Sequence, residues 1–149
     1  MIEAYRLHRS QYAASDGTGS AKAGARWNPR GVEVVYCSSS RSLAVLEILV
    51  NYDGLPPDFV LTRIVIPDRV SLIDVPVSIL VKGWHSPVET SSTQEYGKAW
   101  IASGTSAVLK VPSAVVPRDS NYVINVNHPD FSLIRFGPSE PFRFDPRLK

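Results

Sequence analysis

Leu43-Ala-Val-Leu-Glu-Ile-Leu-Val50 is apolar at seven of its eight positions, the exception being Glu47. A helix with no polar stripe has no side to turn towards water, so the run predicts a buried helix. The three serines Ser38 to Ser40 stand before it as N-cap candidates, and Asn51–Pro57, with Gly54, Pro56 and Pro57, ends it. Ahead of the serines, Val32–Cys37 carries β-branched and aromatic residues at strand density. Strand, cap and helix therefore follow one another within about twenty residues. The carboxylate is the anomaly. An ionised Glu in a dry interior costs several kcal/mol unless a cation or a set of donors meets it, and Arg26 is the first partner to test.

The totals restrict the setting. A chain of 149 residues, 44% hydrophobic and 20% charged with a net charge of +2, fits a single domain over residues 1–149. The charge is too small to argue for nucleic acid. One cysteine, Cys37, cannot form an internal disulfide. The N-terminus has no basic region followed by an apolar core, and no apolar run approaches the ~18 residues of a membrane span. The expectation is a soluble cytoplasmic protein with no direct contact to nucleic acid or membrane.

The remaining segments read as short elements. Ala4–Leu7 is a candidate strand containing Arg6, and Ser15–Gly24, rich in Gly, Ser and Ala, reads as a mobile loop. Phe59–Ile66 is a buried strand, Pro67-Asp68 a turn and Val70–Val75 a further strand, while Pro76–Pro87 is left irregular. Ser92-Thr-Gln-Glu95 has the capping-box pattern and opens a helix with Tyr96, Ala99 and Trp100 on one face and Gly104 as its stop. Ala107–Val111, Asn121–Asn125 and Ser132–Phe136 are strands, the last before a Pro-rich tail. Some six or seven strands and two helices without regular alternation predict an α+β fold, a compact mixed sheet with a few helices.

Few constellations carry chemistry. His8, His85, His128 and Cys37 are scattered without ligand spacing, which predicts no metal site. Gly17-Thr-Gly19 holds two glycines of a dinucleotide fingerprint, but Lys22 stands where the third belongs, and no helix is signalled after it. A phosphate-cradling Walker sequence and a Ser/His/Asp triad are both absent. What remains is Arg26 beside Trp27, Tyr36 at a strand end, Glu47 in its apolar helix and Ser113 after Pro112. Each also has a purely structural reading: a surface ion pair, a core ring, a snorkelling carboxylate, a turn residue.

Taken together, Gly24–Asn28 (Gly-Ala-Arg-Trp-Asn), Gly31, Tyr36-Cys-Ser, Ala44-Val-Leu-Glu47, Gly97-Lys-Ala-Trp100, Val111-Pro-Ser113-Ala, Asn121–Asn125 and His128-Pro-Asp-Phe131 resemble the RES domain family, in the family's order and across nearly the whole chain. The family's arginine, glutamate and serine look here like Arg26, Glu47 and Ser113. Ala25 stands where many members have a second glycine, which touches loop flexibility more than chemistry. The resemblance implies a fold similar to ADP-ribosyltransferase toxins and the toxin role of a RES-Xre type II toxin-antitoxin pair. NAD is then a substrate, with no cofactor, and its nicotinamide N-glycosidic bond is cleaved by hydrolysis or phosphorolysis. A mono-ADP-ribosyltransferase with a protein acceptor, and a non-catalytic nucleotide- or peptide-binding module, are the alternatives. The implied partner is an Xre-type helix-turn-helix antitoxin, with homo-oligomer and hetero-oligomer both open. Glu47, Arg26, Tyr36 and Ser113 are the candidate catalytic residues, and Arg6, Arg26, Tyr36, Asn121 and Asn125 the candidates for holding NAD. Arg26 is drawn two ways, to the pyrophosphate or to Glu47. In the second case it would neutralise the carboxylate; in the first, Glu47 should have another donor, such as Tyr36 or Ser113.

Overall fold

A computed structural model describes all residues, 1–149. The strands are β1 (Ile2–Arg9), β2 (Val34–Ser38), β3 (Phe59–Ile66), β4 (Leu72–Asp74), β5 (Val108–Pro112), β6 (Ser120–Asn125) and β7 (Arg135–Phe142); the α-helices are α1 (Thr18–Ala23), α2 (Arg41–Leu49) and α3 (Ser91–Ser103). They form one seven-stranded mixed sheet in the order β4-β5-β6-β2-β1-β3-β7, in which only β4 and β5 run parallel. This is the expected α+β architecture.

The sheet has a seam. β1 pairs with β3 through all eight of its residues but meets β2 in a single register pair, Tyr5↔Ser38. The two halves share one core: Ala4, Ile64 and Ile66 from one side pack with Val35, Cys37, Val108, Tyr122 and Ile124 from the other. Because side chains alternate along a strand, the opposite faces must be covered separately. α2 covers Tyr5, Leu7 and Leu61 of one half with Ala44 and Leu49. Trp100 of α3, together with Trp27, covers Val34, Leu109, Val111 and Val123 of the other. Between these two covers lies the seam, and Glu47 lies over it.

Several sequence expectations need correction. The Ser15–Gly24 loop contains α1, with Gly17 at its cap and, just before it, Asp16, whose carboxylate accepts from the Thr18 N–H and hydroxyl at 2.8 and 2.7 Å. The Ser20 hydroxyl fixes α1 to β2, accepting from the Val34 N–H at 3.1 Å and donating to the Val34 carbonyl at 2.6 Å. The capping box at Ser92–Glu95 does not form: α3 starts at Ser91 with Thr90 at the cap and no side-chain cap bond. Ala99 is exposed, and the buried face of α3 is Thr93, Gly97 and Trp100. Gly104 does stop α3, in the left-handed region at φ 60°.

The final strand begins later than expected. Residues Pro129–Leu133 form a 3-10 turn, and β7 runs on through Pro138 and Pro141. Proline is tolerated there because β7 is an edge strand with one unpaired side. The apolar run opening this section is also not wholly buried. Ser40 caps α2 as expected, accepting from the Leu43 N–H at 3.1 Å. Leu46 and Val50, however, are 38% and 57% exposed, because a helix laid across a seam buries only one side.

Candidate functional site

Glu47 projects from the last turns of α2, and two donors converge on its Oε1: the Ser113 hydroxyl at 2.6 Å and the Asn121 amide at 2.9 Å. Ser113 is fully buried immediately after β5. Its oxygen accepts from the Val115 and Val116 N–H groups, both at 3.0 Å, so its single proton is left for the carboxylate. Asn121 sits at the start of β6 in register with Ser38, and its Oδ1 accepts from the Ser38 hydroxyl at 2.7 Å. That leaves its Nδ2 aimed at Glu47. Oε2 receives no hydrogen bond from the chain, and Glu47 as a whole is half-buried. The carboxylate therefore stands on a rigid floor of donors with one oxygen uncommitted.

Arg26 does not pair with Glu47, which corrects the first expectation. Its Nη1 and Nη2 donate to the backbone carbonyls of Trp84 and Ser86, each at 2.8 Å. The ion pairs of the chain lie elsewhere, and neither Arg26 nor Glu47 belongs to one. Burial lowers the Arg26 pKa from its ordinary value, and the charge of Glu47 opposes that shift, so the two groups act on each other without a direct bond. Neutral donors meet the half-buried carboxylate instead.

Tyr36 is committed as well, though not to Glu47. Its hydroxyl donates to Asn28 Oδ1 at 2.6 Å and accepts from the Trp27 N–H at 3.0 Å. Burial raises its pKa, which keeps the phenol protonated as that geometry requires. The fully buried Asn28 completes the frame, its Nδ2 donating to the carbonyls of Ser20 and Val32 at 2.9 and 3.0 Å.

α3 grips the same segment from the other side. Thr93 donates to the Arg26 carbonyl at 2.5 Å and Gln94 to the Ala25 carbonyl at 2.9 Å. A Cβ on Gly97 would lie 1.6 Å from the Trp27 carbonyl oxygen. Only glycine lets the helix approach the Ala25–Trp27 backbone this closely.

Of the residues singled out from sequence, the structure thus brings Glu47, Ser113 and Asn121 into direct contact, and holds Arg26 and Tyr36 in one framed loop. It does not bring Arg6 or Asn125 into that cluster. Arg6 donates to the carbonyls of Ala14 and Asp16, tying the turn before α1 to β1, and burial lowers its pKa. Asn125, at the far end of β6, caps the Asn127 N–H at 3.0 Å. Sequence reading missed Ser38, Asn28, Thr93 and Gly97 as supports. Asn28 stands in the Arg-Trp-Asn block and Gly97 in the Gly-Lys-Ala-Trp block, and those blocks were the available signal.

Comparison with known proteins shows the family and the fold. A "Toxin Res" of Photorhabdus laumondii is 41% identical over 132 residues, 85% of this chain and 83% of that protein. A "Prs ADP-ribosylating toxin" of a Sphingobium species is 38% identical over 144 residues, covering 92% of this chain and 89% of that one. Among solved structures, the M. tuberculosis MbcT-MbcA toxin-antitoxin complex contains a chain that matches with a TM-score of 0.78 at 18% identity, covering 99% of this chain and 86% of that one. That likeness is one of fold. The RES domain model matches residues 3–145, and with relatives this similar over most of their length the chain belongs to the RES domain family.

Proposed function

We propose that this protein is the toxin of a toxin-antitoxin pair and that it degrades NAD by cleaving the nicotinamide N-glycosidic bond. The observation that carries the reading is Glu47 itself: a carboxylate oriented through one oxygen by Ser113 and Asn121 and paired with no cation. Breaking the N-glycosidic bond turns the ribose oxocarbenium-like as neutral nicotinamide leaves. A carboxylate beside that ribose stabilises the developing positive charge and orients an attacking water or phosphate. A neutral donor floor serves this chemistry better than an arginine partner, which would cancel the field the sugar needs.

The other residues take supporting roles in the proposal. Ser113 and Asn121 position Glu47. Arg26 faces the diphosphate with the N–H groups left after its two carbonyl bonds, since a guanidinium carries five donors. Tyr36 fixes the Arg26 segment through its hydroxyl and offers its ring for stacking on nicotinamide. The fold likeness to a chain from a toxin-antitoxin complex supports an antitoxin as partner, and the family resemblance supports one of the Xre helix-turn-helix type. A cytoplasmic site of action follows from an NAD substrate.

A second reading, transfer of ADP-ribose to a protein acceptor, is favoured by the relative named for that activity. Mass analysis of the products formed from NAD with and without phosphate separates the two. Free ADP-ribose or its phosphorylated form supports glycohydrolase or phosphorylase, and label retained on protein supports the transferase. NAD left unaltered at high protein concentration overturns both and leaves a binding module.

A further inference from the structure

A second group of polar side chains lies at the other end of β6 from Glu47. Asn121 and Asn125 are on the same face of that strand, four residues and roughly 13 Å apart. Around Asn125 opens a hollow of about 280 Å³, walled by Val32, Ile101 and Pro129 and including Glu33 and His128. Its volume falls just short of the roughly 300 Å³ at which the range for small-molecule sites begins. Glu47, Ser113 and Arg26 are not part of it.

Asn125 is only 6% exposed. Its Oδ1 is used by the Asn127 N–H, while its Nδ2 donates to no group of the chain. No sealed polar side-chain atom lacks a partner anywhere in the protein, so this Nδ2 is reachable by solvent, and its residue lines the hollow. Solvent in the hollow meets this donor, and a ligand carbonyl taking the place of that water keeps the hydrogen bond, which makes Asn125 a ligand-facing group. His128, in contrast, is wall: its Nε2 lies 3.1 Å from the Gly104 carbonyl, and its Nδ1 accepts from the Asp130 N–H at 3.0 Å. Glu33 enters no ion pair, and neither lysine nor arginine lines the hollow. The hollow thus offers an amide donor and a carboxylate acceptor beside apolar surface.

We infer that this hollow binds a small neutral molecule bearing a primary carboxamide on a compact apolar body. The carbonyl of such a ligand accepts from Asn125 Nδ2, and its NH₂ group donates to Glu33, while the body rests on Val32, Ile101 and Pro129. The inference does not depend on NAD turnover, although nicotinamide has this chemistry. A carboxylate ligand is repelled by Glu33, and a simple amine leaves Asn125 unmet.

Benzamide, with benzoate as its anionic counterpart, tests the inference on the full chain by titration followed in ¹H–¹⁵N spectra. Benzamide should shift the Asn125 side-chain signals and the Gly31, Gly104 and Asn127 backbone signals along one saturable curve, and benzoate should not. Asn125→Asp keeps the oxygen that caps Asn127 but loses the donors, and should weaken benzamide about tenfold or more. Glu33→Gln should retain benzamide and newly admit benzoate; this half-buried position decides the matter if the Asn125 variant fails to fold. Shifts confined to residues around Glu47, unchanged affinity in folded Asn125→Asp, benzoate still excluded by Glu33→Gln, or no saturable shift would each overturn the site.

Discussion

At the residue scale, the central result is how a half-buried carboxylate is kept usable. Glu47 is held through one oxygen by a hydroxyl and an amide, each of which is itself pinned: Ser113 by two backbone N–H groups, Asn121 by Ser38. Glu47→Gln replaces a carboxylate by a near-isostere, so the fold should survive while NAD turnover drops by about 10²-fold or more. A folded Gln variant that consumes NAD at the wild-type rate would remove Glu47 from the chemistry. Ser113→Ala should do two things together, loosening Glu47 and leaving two half-buried N–H groups without their side-chain acceptor. We expect a loss of stability of roughly 1–3 kcal/mol alongside reduced turnover, read from urea unfolding and NAD assays on the same sample. Arg26→Ala should weaken NAD binding more than it destabilises the fold; calorimetric titration returning wild-type affinity would remove Arg26 from the diphosphate. Arg26 illustrates the limit of sequence reading at this scale. The buried carboxylate did announce a need for partners, but the nearest cation in the argument was the wrong one, since Arg26 spends two donors on the carbonyls of Trp84 and Ser86.

At the element scale, the site is set by how closely α3 and α2 approach the sheet. α3 rests on the backbone of the Arg26 segment through Thr93, Gln94 and the bare Cα of Gly97. Because the obstructing atom is a backbone carbonyl and not a flexible side chain, Gly97→Ala must push the helix or the loop away. Overpacking of this kind costs typically about 1–3 kcal/mol and here should also displace Arg26. Thermal denaturation and NAD affinity of the variant should therefore fall together, and an alanine variant with normal affinity would show that the loop is placed by other contacts. Capping and alternation were legible in the sequence at this scale: Ser40 before α2, Gly104 after α3 and the whole of β3 stand where the pattern put them. The failures were the Ser92–Glu95 capping box, which does not form, α1, where a Gly- and Ser-rich segment becomes helical with Ser20 tied to β2, and β7, which continues through two prolines because it needs pairing on one side only.

At the scale of the whole molecule, the single register pair between β1 and β2 divides the sheet into halves that close over one core, and the catalytic candidates gather at the outer side of that division. Stability should reflect the buried polar groups between strands. His8 is buried, with Nε2 2.8 Å from the Thr62 hydroxyl and Nδ1 3.1 Å from the Arg9 carbonyl. Desolvation, and secondarily the charge of Arg6, lowers its pKa below the ordinary value. The unfolded chain then takes up a proton first as pH falls, so the contribution of neutral His8 is complete above about pH 6.5 and is lost below it, towards the lower folded-state pKa. The urea midpoint should decrease from pH 7.5 to 5.5, and His8→Gln should flatten that decrease; an equally steep variant would assign the dependence to other groups. By itself, the sequence determined the α+β class, the capped apolar helix, the strands of the central core and the need for something to meet Glu47, because these follow from periodicity, capping chemistry and desolvation within short stretches of chain. Only the tertiary structure decided which groups meet the carboxylate, that Arg26 and Tyr36 frame a loop beside it, that Asn125 faces a different hollow, and that one side of α2 remains in water. Those outcomes depend on pairings between residues as far apart as Glu47 and Asn121, and hydrogen-bond complementarity at such separations leaves no local pattern to read.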